Sequence, residues 1–505
     1  MKHTTQLFFI AMLLSAMQAK GQNFGLKMGK YPVGIKRVLT YDYGRTYLMS
    51  FDEKGKLNKK ANPRPIKLTI WYPAKNTSSN YLPFEQYMYW DYQKHQADLG
   101  EISSKGKENA LKKYRRFVGS DTKLQQLRQL QTSAVLNAEP KANKFPAIVY
   151  SPSVTASSFD NAILCEYLAS QGFWVFALPS RGQYQHQMPM NSSGLEAQAR
   201  DVEFCLNYLK DIPHVNPNQV GLAGFSWGGL TSLLVASRNH NIDAVFVLEN
   251  SPLSYGKGHP SLKATRMYAP VMRINGNAFN KVGGSQLVAA MRYADTYMLE
   301  IDRFNHLNFS STNLTIQMLT KSLDVNNHHL LVGYKRLCQY AGLFMQQYLK
   351  DDEVSEKELK RVLENDLKTT KTLTRVDFRA GVSPPMPQNL FINYIHSQGV
   401  SNARALYERY KTQHPGYQLF EFRAMRDVGW LMASQGKDGE AIKVFKMMIN
   451  AYPKKAEGYA RVGRIYEKLG KHKLAIQYYE KGIEVDPKSV YNQASRRSLE
   501  KLKEK

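Results

Sequence analysis

The chain has 505 residues, 43% of them hydrophobic and 11% aromatic, which excludes a disordered chain and is enough for about three domains. Three cysteines exclude a disulfide-dense scaffold and a four-cysteine zinc module. The 69 Lys and Arg against 42 Asp and Glu give +27, but the lysines are spread along the whole chain, with no aromatic-interleaved stripe of the kind a nucleic-acid binder carries.

The N-terminus reads as a secretory signal of residues 1–21. Lys2 is the positive start, Leu7 to Ala16 the apolar run, and Ala16-Met17-Gln18-Ala19-Lys20-Gly21 the small-residue cleavage zone. The run is about half a membrane span. Losing Lys2 and Lys20 and no acid leaves +25. The expectation is an exported protein, periplasmic or secreted. Its basic surface would then face an anionic envelope rather than nucleic acid. The densest cluster, Lys105 to Arg116, is the candidate for that contact.

Apolar, β-branched runs bounded by proline predict strands at Lys67–Tyr72 and Ala147–Tyr150. Between them, residues 76–144 are polar and partly helix-periodic, too long for a simple connection, and read as an inserted helical cap or lid. Its aromatic segment, Tyr81 to Tyr92, suits either a greasy or sugar-stacking acceptor or a stripe that packs the lid onto the core. After Tyr150, helices at Ala162–Gln171, Gly194–Leu209, Gly228–Arg238 and Gly284–Met291 alternate with strands at Phe173–Leu178, Gln219–Ala223, Ala244–Leu248, Val271–Ile274 and Thr296–Ile301. A long helix, His329–Leu349, closes the run. This alternation predicts a mostly parallel sheet covered on both faces, a domain of residues 22–350. Cys165, Cys205 and Cys338 fall on helices as core residues.

Residues 351–386, charged at first and ending in Ser383-Pro384-Pro385, read as a linker. Beyond it Gly429, Gly436, Ala441, Phe445 and Pro453 recur as Gly463, Gly470, Ala475, Tyr479 and Pro487, each displaced by 34. The pattern resembles the tetratricopeptide repeat. Ala403, Tyr407 and Pro415 form a looser copy. Three units and a capping helix are expected within residues 387–505, for protein contact or self-association.

Gly224-Phe225-Ser226-Trp227-Gly228-Gly229 directly follows a predicted strand and opens a predicted helix. Such a turn lifts a serine hydroxyl above the sheet edge, with the helix dipole facing a developing negative charge. Ser226 is therefore the candidate nucleophile. A hydroxyl needs a base, and His306, just after strand Thr296–Ile301, is better placed than His259, His328 or His329. The loop after Val271–Ile274 carries no carboxylate, so the orienting acid is assigned to Glu249 at the end of the preceding strand, with Asp302 as fallback. The oxyanion hole would use the backbone N–H of Trp227 and one from Ser151-Pro152-Ser153-Val154-Thr155, either Ser153 or Val154. No cofactor and no metal site is expected.

These motifs resemble the platelet-activating factor acetylhydrolase-like and dienelactone hydrolase-like group of α/β-hydrolases. The resemblance rests on Tyr31-Pro32-Val33-Gly34, the Arg64 to Pro73 strand, the Ser226 turn, Glu249 and His306-Leu307-Asn308-Phe309, and covers about residues 30–350. It implies metal-free hydrolysis of a small carboxylic ester, lipid-like or an acylated sugar. The missing glycine in Ser151-Pro152-Ser153 departs from the group. The alternative is a weak or inactive hydrolase domain that serves as a scaffold through its repeats.

Overall fold

The computed structural model describes residues 23–47, 56, 62–75, 80–93, 99–183, 187–249, 262–277, 285–320, 328–383, 386–414 and 416–504. The expected signal segment and His259 lie outside them. In chain order the elements are β1 (Val33–Tyr47), β2 (Asn62–Pro73), α1 (Phe84–Gln93), α2 (Ser104–Val118), α3 (Asp121–Gln129), β3 (Ala134–Leu136), β4 (Phe145–Ser151), α4 (Ala162–Ser170), β5 (Trp174–Ala177), α5 (Ser192–Tyr208), β6 (Val215–Phe225), α6 (Trp227–Ala236) and β7 (Ala244–Leu248). Then follow β8 (Val271–Gly276), α7 (Ser285–Ala289), β9 (Thr296–Ile301), α8 (Ser311–Thr320), α9 (His328–Lys350), α10 (Glu353–Lys368), β10 (Leu373–Arg379), α11 (Gln388–Gln413), α12 (Phe422–Ser434), α13 (Asp438–Ala451), α14 (Ala456–Lys468), α15 (His472–Val485) and α16 (Tyr491–Lys503). The chain divides into two compact units at Val382/Ser383. Among the described residues no helix is long and apolar enough to cross a membrane.

The first unit is built on one ten-stranded sheet, in the order β10-β9-β8-β7-β6-β4-β5-β2-β1-β3. From β5 through β9 all neighbours are parallel, and β2 enters antiparallel to both β5 and β1. This is the topology expected of an α/β-hydrolase. Each central strand is buried on both faces, because alternate residues serve different layers. Ile148 and Tyr150 of β4 pack with α4 and α9, while Ala147 and Val149 pack with α5 and α6. Cys165, Cys205 and Cys338 are free and buried in these layers.

The insertion between β2 and β4 is helical, as its sequence suggests. Its aromatic segment packs the lid down: Phe84, Tyr87, Met88 and Trp90 are buried, and the Tyr87 ring stacks on Phe159 at 4.9 Å between centroids. The exposed face of α2 carries Lys105, Lys107, Lys112 and Arg116.

The reading of 351–386 as a linker is corrected by the structure, and with it the boundary at 350. Leu359, Val362 and Leu363 of α10 are buried in the same core as α9. The strand β10 pairs antiparallel with β9, Leu373 opposite Ile301 and Arg379 opposite Thr296. Charge on the outer face of this segment masked an amphipathic helix and an edge strand.

In the second unit the 34-residue period becomes a repeated contact. A Cβ on Gly429 would meet the Phe445 ring at 2.6 Å, and one on Gly463 would meet the Tyr479 ring at 2.7 Å. Ala441 and Ala475 are fully buried at the next crossing. The looser copy occupies α11, which is broken at Gly399 (φ 81°), and α16 closes the stack.

Candidate active site

The Ser226 turn combines a positive φ with close backbone packing. Ser226 has φ 55° and ψ −117° between the end of β6 and the start of α6, a region that costs a non-glycine residue on the order of 1–3 kcal/mol. Its N–H donates to Leu248 O at 2.9 Å, and its carbonyl accepts from Gly229 N at 3.1 Å. The turn fits because its neighbours lack side chains. A Cβ on Gly228 would lie 2.0 Å from Ser151 O, and one on Gly224 would lie 2.3 Å from Gly228 O. The turn and the end of β4 are thereby pressed backbone to backbone.

Glu249 follows β7 directly, also with positive φ (38°), and its N–H donates to Ile274 O at 2.8 Å. The carboxylate is buried, and Oε2 makes no hydrogen bond among the described residues. His306 Nδ1 stands 3.6 Å from that oxygen. The imidazole is partly exposed and lies against the Phe225 ring at 4.9 Å between centroids. Its loop is fixed from both sides. Asn305 Oδ1 accepts from Leu307 N at 3.0 Å while Asn305 N donates to Asn308 Oδ1 at 2.8 Å, and Phe304 O sits where a Cβ on Gly276 would have to be. Ser226, Glu249 and His306 thus come from loops at the C-terminal edge of β6, β7 and β9. The fallback acid is otherwise engaged: Asp302 accepts from Asn277 Nδ2 at 3.1 Å and from Arg303 Nε at 2.9 Å. His328 and His329 begin α9.

The loop after β4 distinguishes the two oxyanion candidates. Ser153 N donates to Asp160 Oδ2 at 3.2 Å, so that amide is already spent. The N–H of Val154 has no acceptor among the described residues, and the next residue, Thr155, has φ 54°. Val154 therefore replaces Ser153 as the candidate second donor beside Trp227, the first residue of α6.

Sequence reasoning missed three side chains here, and two of them, Asp160 and Gln198, bond this edge together. Asp160 accepts from Tyr150 OH at 2.8 Å through its other oxygen, and its carbonyl accepts from Ser310 Oγ at 2.8 Å and Thr312 N at 3.1 Å. It ties the loop after β4 to the segment that follows His306. Gln198 of α5 donates to Pro152 O at 3.0 Å and accepts from Thr231 Oγ1 of α6 at 2.7 Å. Arg273 is buried on β8, and burial pulls its guanidinium down to about 10 against the opposing charges of Glu249 and Glu300. Only Arg273 left a signal, as a charge inside an apolar strand.

Residues 133–294 match the dienelactone hydrolase family, and residues 456–489 match the tetratricopeptide repeat. No curated protein matches the chain. Among solved structures, a ferulic acid esterase from Streptomyces cinnamoneus is similar at 17% identity and a TM-score of 0.45, over 66% of this chain and 94% of its own. The first unit is thus similar to the dienelactone hydrolase family over residues 133–294, and the second to the tetratricopeptide repeat over residues 456–489.

Proposed function

We propose that the protein is an exported serine esterase that hydrolyses carboxylic esters through Ser226, His306 and Glu249. The observation that carries this reading is a positive-φ serine at a strand–helix turn, on the same sheet edge as a histidine that faces a buried, otherwise unbonded carboxylate oxygen. In the proposed reaction His306 takes the Ser226 proton as Oγ attacks the ester carbon, then returns it to the leaving alcohol. Glu249 holds the imidazole through Nδ1, and the 3.6 Å separation closes to a hydrogen bond once the ring becomes charged. The amides of Trp227 and Val154 receive the oxyanion of the tetrahedral intermediate. Water then attacks the acyl-enzyme with His306 again as base, releasing the acid and restoring Ser226. The acetylhydrolase-like resemblance favours a small acyl group on a lipid-like alcohol or a sugar. The repeats are proposed to bind a protein partner or a second copy.

The test is labelling of the purified protein with a fluorophosphonate, beside S226A and H306A. Labelling of the unmodified protein alone supports an activated serine, and a panel of acyl esters then defines the substrate. A folded protein that does not label would overturn the esterase reading and leave the repeats as the working part.

A further inference from the structure

Far from Ser226, two cavities of about 780 and 630 Å³ adjoin, both lined by Lys30 and Gln171. The second is lined by Phe145 and Pro146, the first residues of β4. It therefore opens at the N-terminal edge of the parallel strands, whereas Ser226 stands at the C-terminal edge. The seven residues of β4 set the two edges roughly 20 Å apart, at about 3.3 Å per residue.

The lining is rich in unbalanced positive charge. Lys27, Lys30 and Lys335 line the first cavity, and Lys30, Lys144 and Lys350 the second. None of these five lysines is in an ion pair among the described residues, and Asp352 is the only carboxylate in the lining. Lys350 shows the consequence. Its Nζ donates to Gln171 O at 2.9 Å and lies 4.2 Å from the centre of the Phe173 ring. Burial, and then the charge of Lys30, pull its pKa down to about 8 against the weaker opposing pull of Asp352. An anion placed between Lys30 and Lys350 would relieve that repulsion.

The uncharged polar part of the lining, beside Leu26, Met28, Tyr167 and Val332 of the first cavity, favours one class of anion. Amide side chains recur along both cavities: Gln171, Gln219, Gln339 and Gln346. Gln346 Nε2 donates to Gln171 Oε1 at 3.2 Å, which fixes the wall common to both. The four amide oxygens already accept within the protein, from Gln346, Asn216, Arg336 and Ser355 in turn, so Gln171, Gln219 and Gln339 offer their amide N–H groups as donors to sugar hydroxyls, while the lysines suit the carboxylates or sulfates between them. None of the exposed large hydrophobic side chains among the described residues lines the groove, so it lacks the apolar wedge of a lipid-inserting surface. We propose that this groove binds an acidic oligosaccharide, at a site separate from Ser226.

The experiment is calorimetric titration of the full chain with a hexamer of galacturonic acid, beside the uncharged galactose hexamer. The variant is K27Q/K30Q/K144Q, whose three positions are exposed, so that folding is preserved. The acidic hexamer is expected to bind and the neutral one not. Affinity should fall about tenfold or more in the triple variant and on raising the salt, with hydrolysis of a small aryl ester unchanged. Equal binding by the triple variant, equal binding of the neutral hexamer, or binding of anionic phospholipid vesicles but not of the hexamer would each overturn the proposal. A matching loss of ester hydrolysis in the variant would overturn the separation of the two sites.

Discussion

The lid is held to the core through a carboxyl that is expensive to ionise. Glu166 of α4 is fully buried; Oε1 accepts from Tyr87 OH of the lid at 2.7 Å and Oε2 from Ser133 N at 2.8 Å. The Tyr87 hydroxyl oxygen in turn accepts from Trp71 Nε1 at 3.1 Å. Burial outweighs these donors and raises the Glu166 pKa from 4.5 to about 7. At about 1.4 kcal/mol per pH unit, that displacement is worth about 3 kcal/mol as an order of magnitude. Because the folded state holds the proton more tightly than the unfolded one, this contribution is complete below pH 4.5. It is lost as pH rises through about 7. The perturbation is Glu166→Gln, a neutral isostere that keeps an acceptor for Ser133 N, presents an amide N–H group to Tyr87 OH and cannot ionise. Urea unfolding followed by tryptophan fluorescence reports chiefly on this unit, since four of the five tryptophans, Trp71, Trp90, Trp174 and Trp227, lie in it and Trp430 in the second. At pH 5, where folded Glu166 holds its proton, the two proteins should differ by about 1 kcal/mol or less. By pH 8 the difference should shift in the variant's favour by about 2–3 kcal/mol. Carboxylates common to both proteins cancel in that comparison. A difference that stays constant from pH 5 to pH 8 would refute the reasoning.

Three further outcomes are expected. Glu249→Gln should lower kcat on an acyl ester by the order of 10³-fold with KM nearly unchanged, since the acid orients the base and does not hold substrate; steady-state kinetics decides. Gly228→Ala drives a Cβ to 2.0 Å from Ser151 O, so esterase activity and fluorophosphonate labelling should fall together, with a thermal melt separating lost geometry from lost folding. In the second unit Gly463→Ala presses on the Tyr479 ring at 2.7 Å and should destabilise the repeats by about 1–3 kcal/mol, seen as an earlier helical melt with ester hydrolysis retained.

Periodicity and turn chemistry made much of this protein legible without coordinates. The alternation of apolar strands and helices from Ala147 to Leu349, the glycine-flanked Ser226 turn and the 34-residue repeat are local patterns, because burial on one face imposes a period that can be read along the chain. What the sequence hid depended on partners distant in the chain. Segment 351–386 looked like a linker because its exposed charges outnumber the few residues, Leu359, Val362, Leu363 and Leu373, that the sheet edge buries. Ser153 and Val154 were equivalent as oxyanion donors until folding brought Asp160 to the Ser153 amide. The roles of Asp160, Gln198 and Glu166 exist only as bonds across loops and helices, and the lysines of the basic groove are gathered from the N-terminal segment, the start of β4 and the length of α9. Periodicity records which face of an element is covered. Only the tertiary structure decides what covers it, because a hydrogen bond or an unpaired charge depends on distance in space, and separation along the chain does not fix that distance.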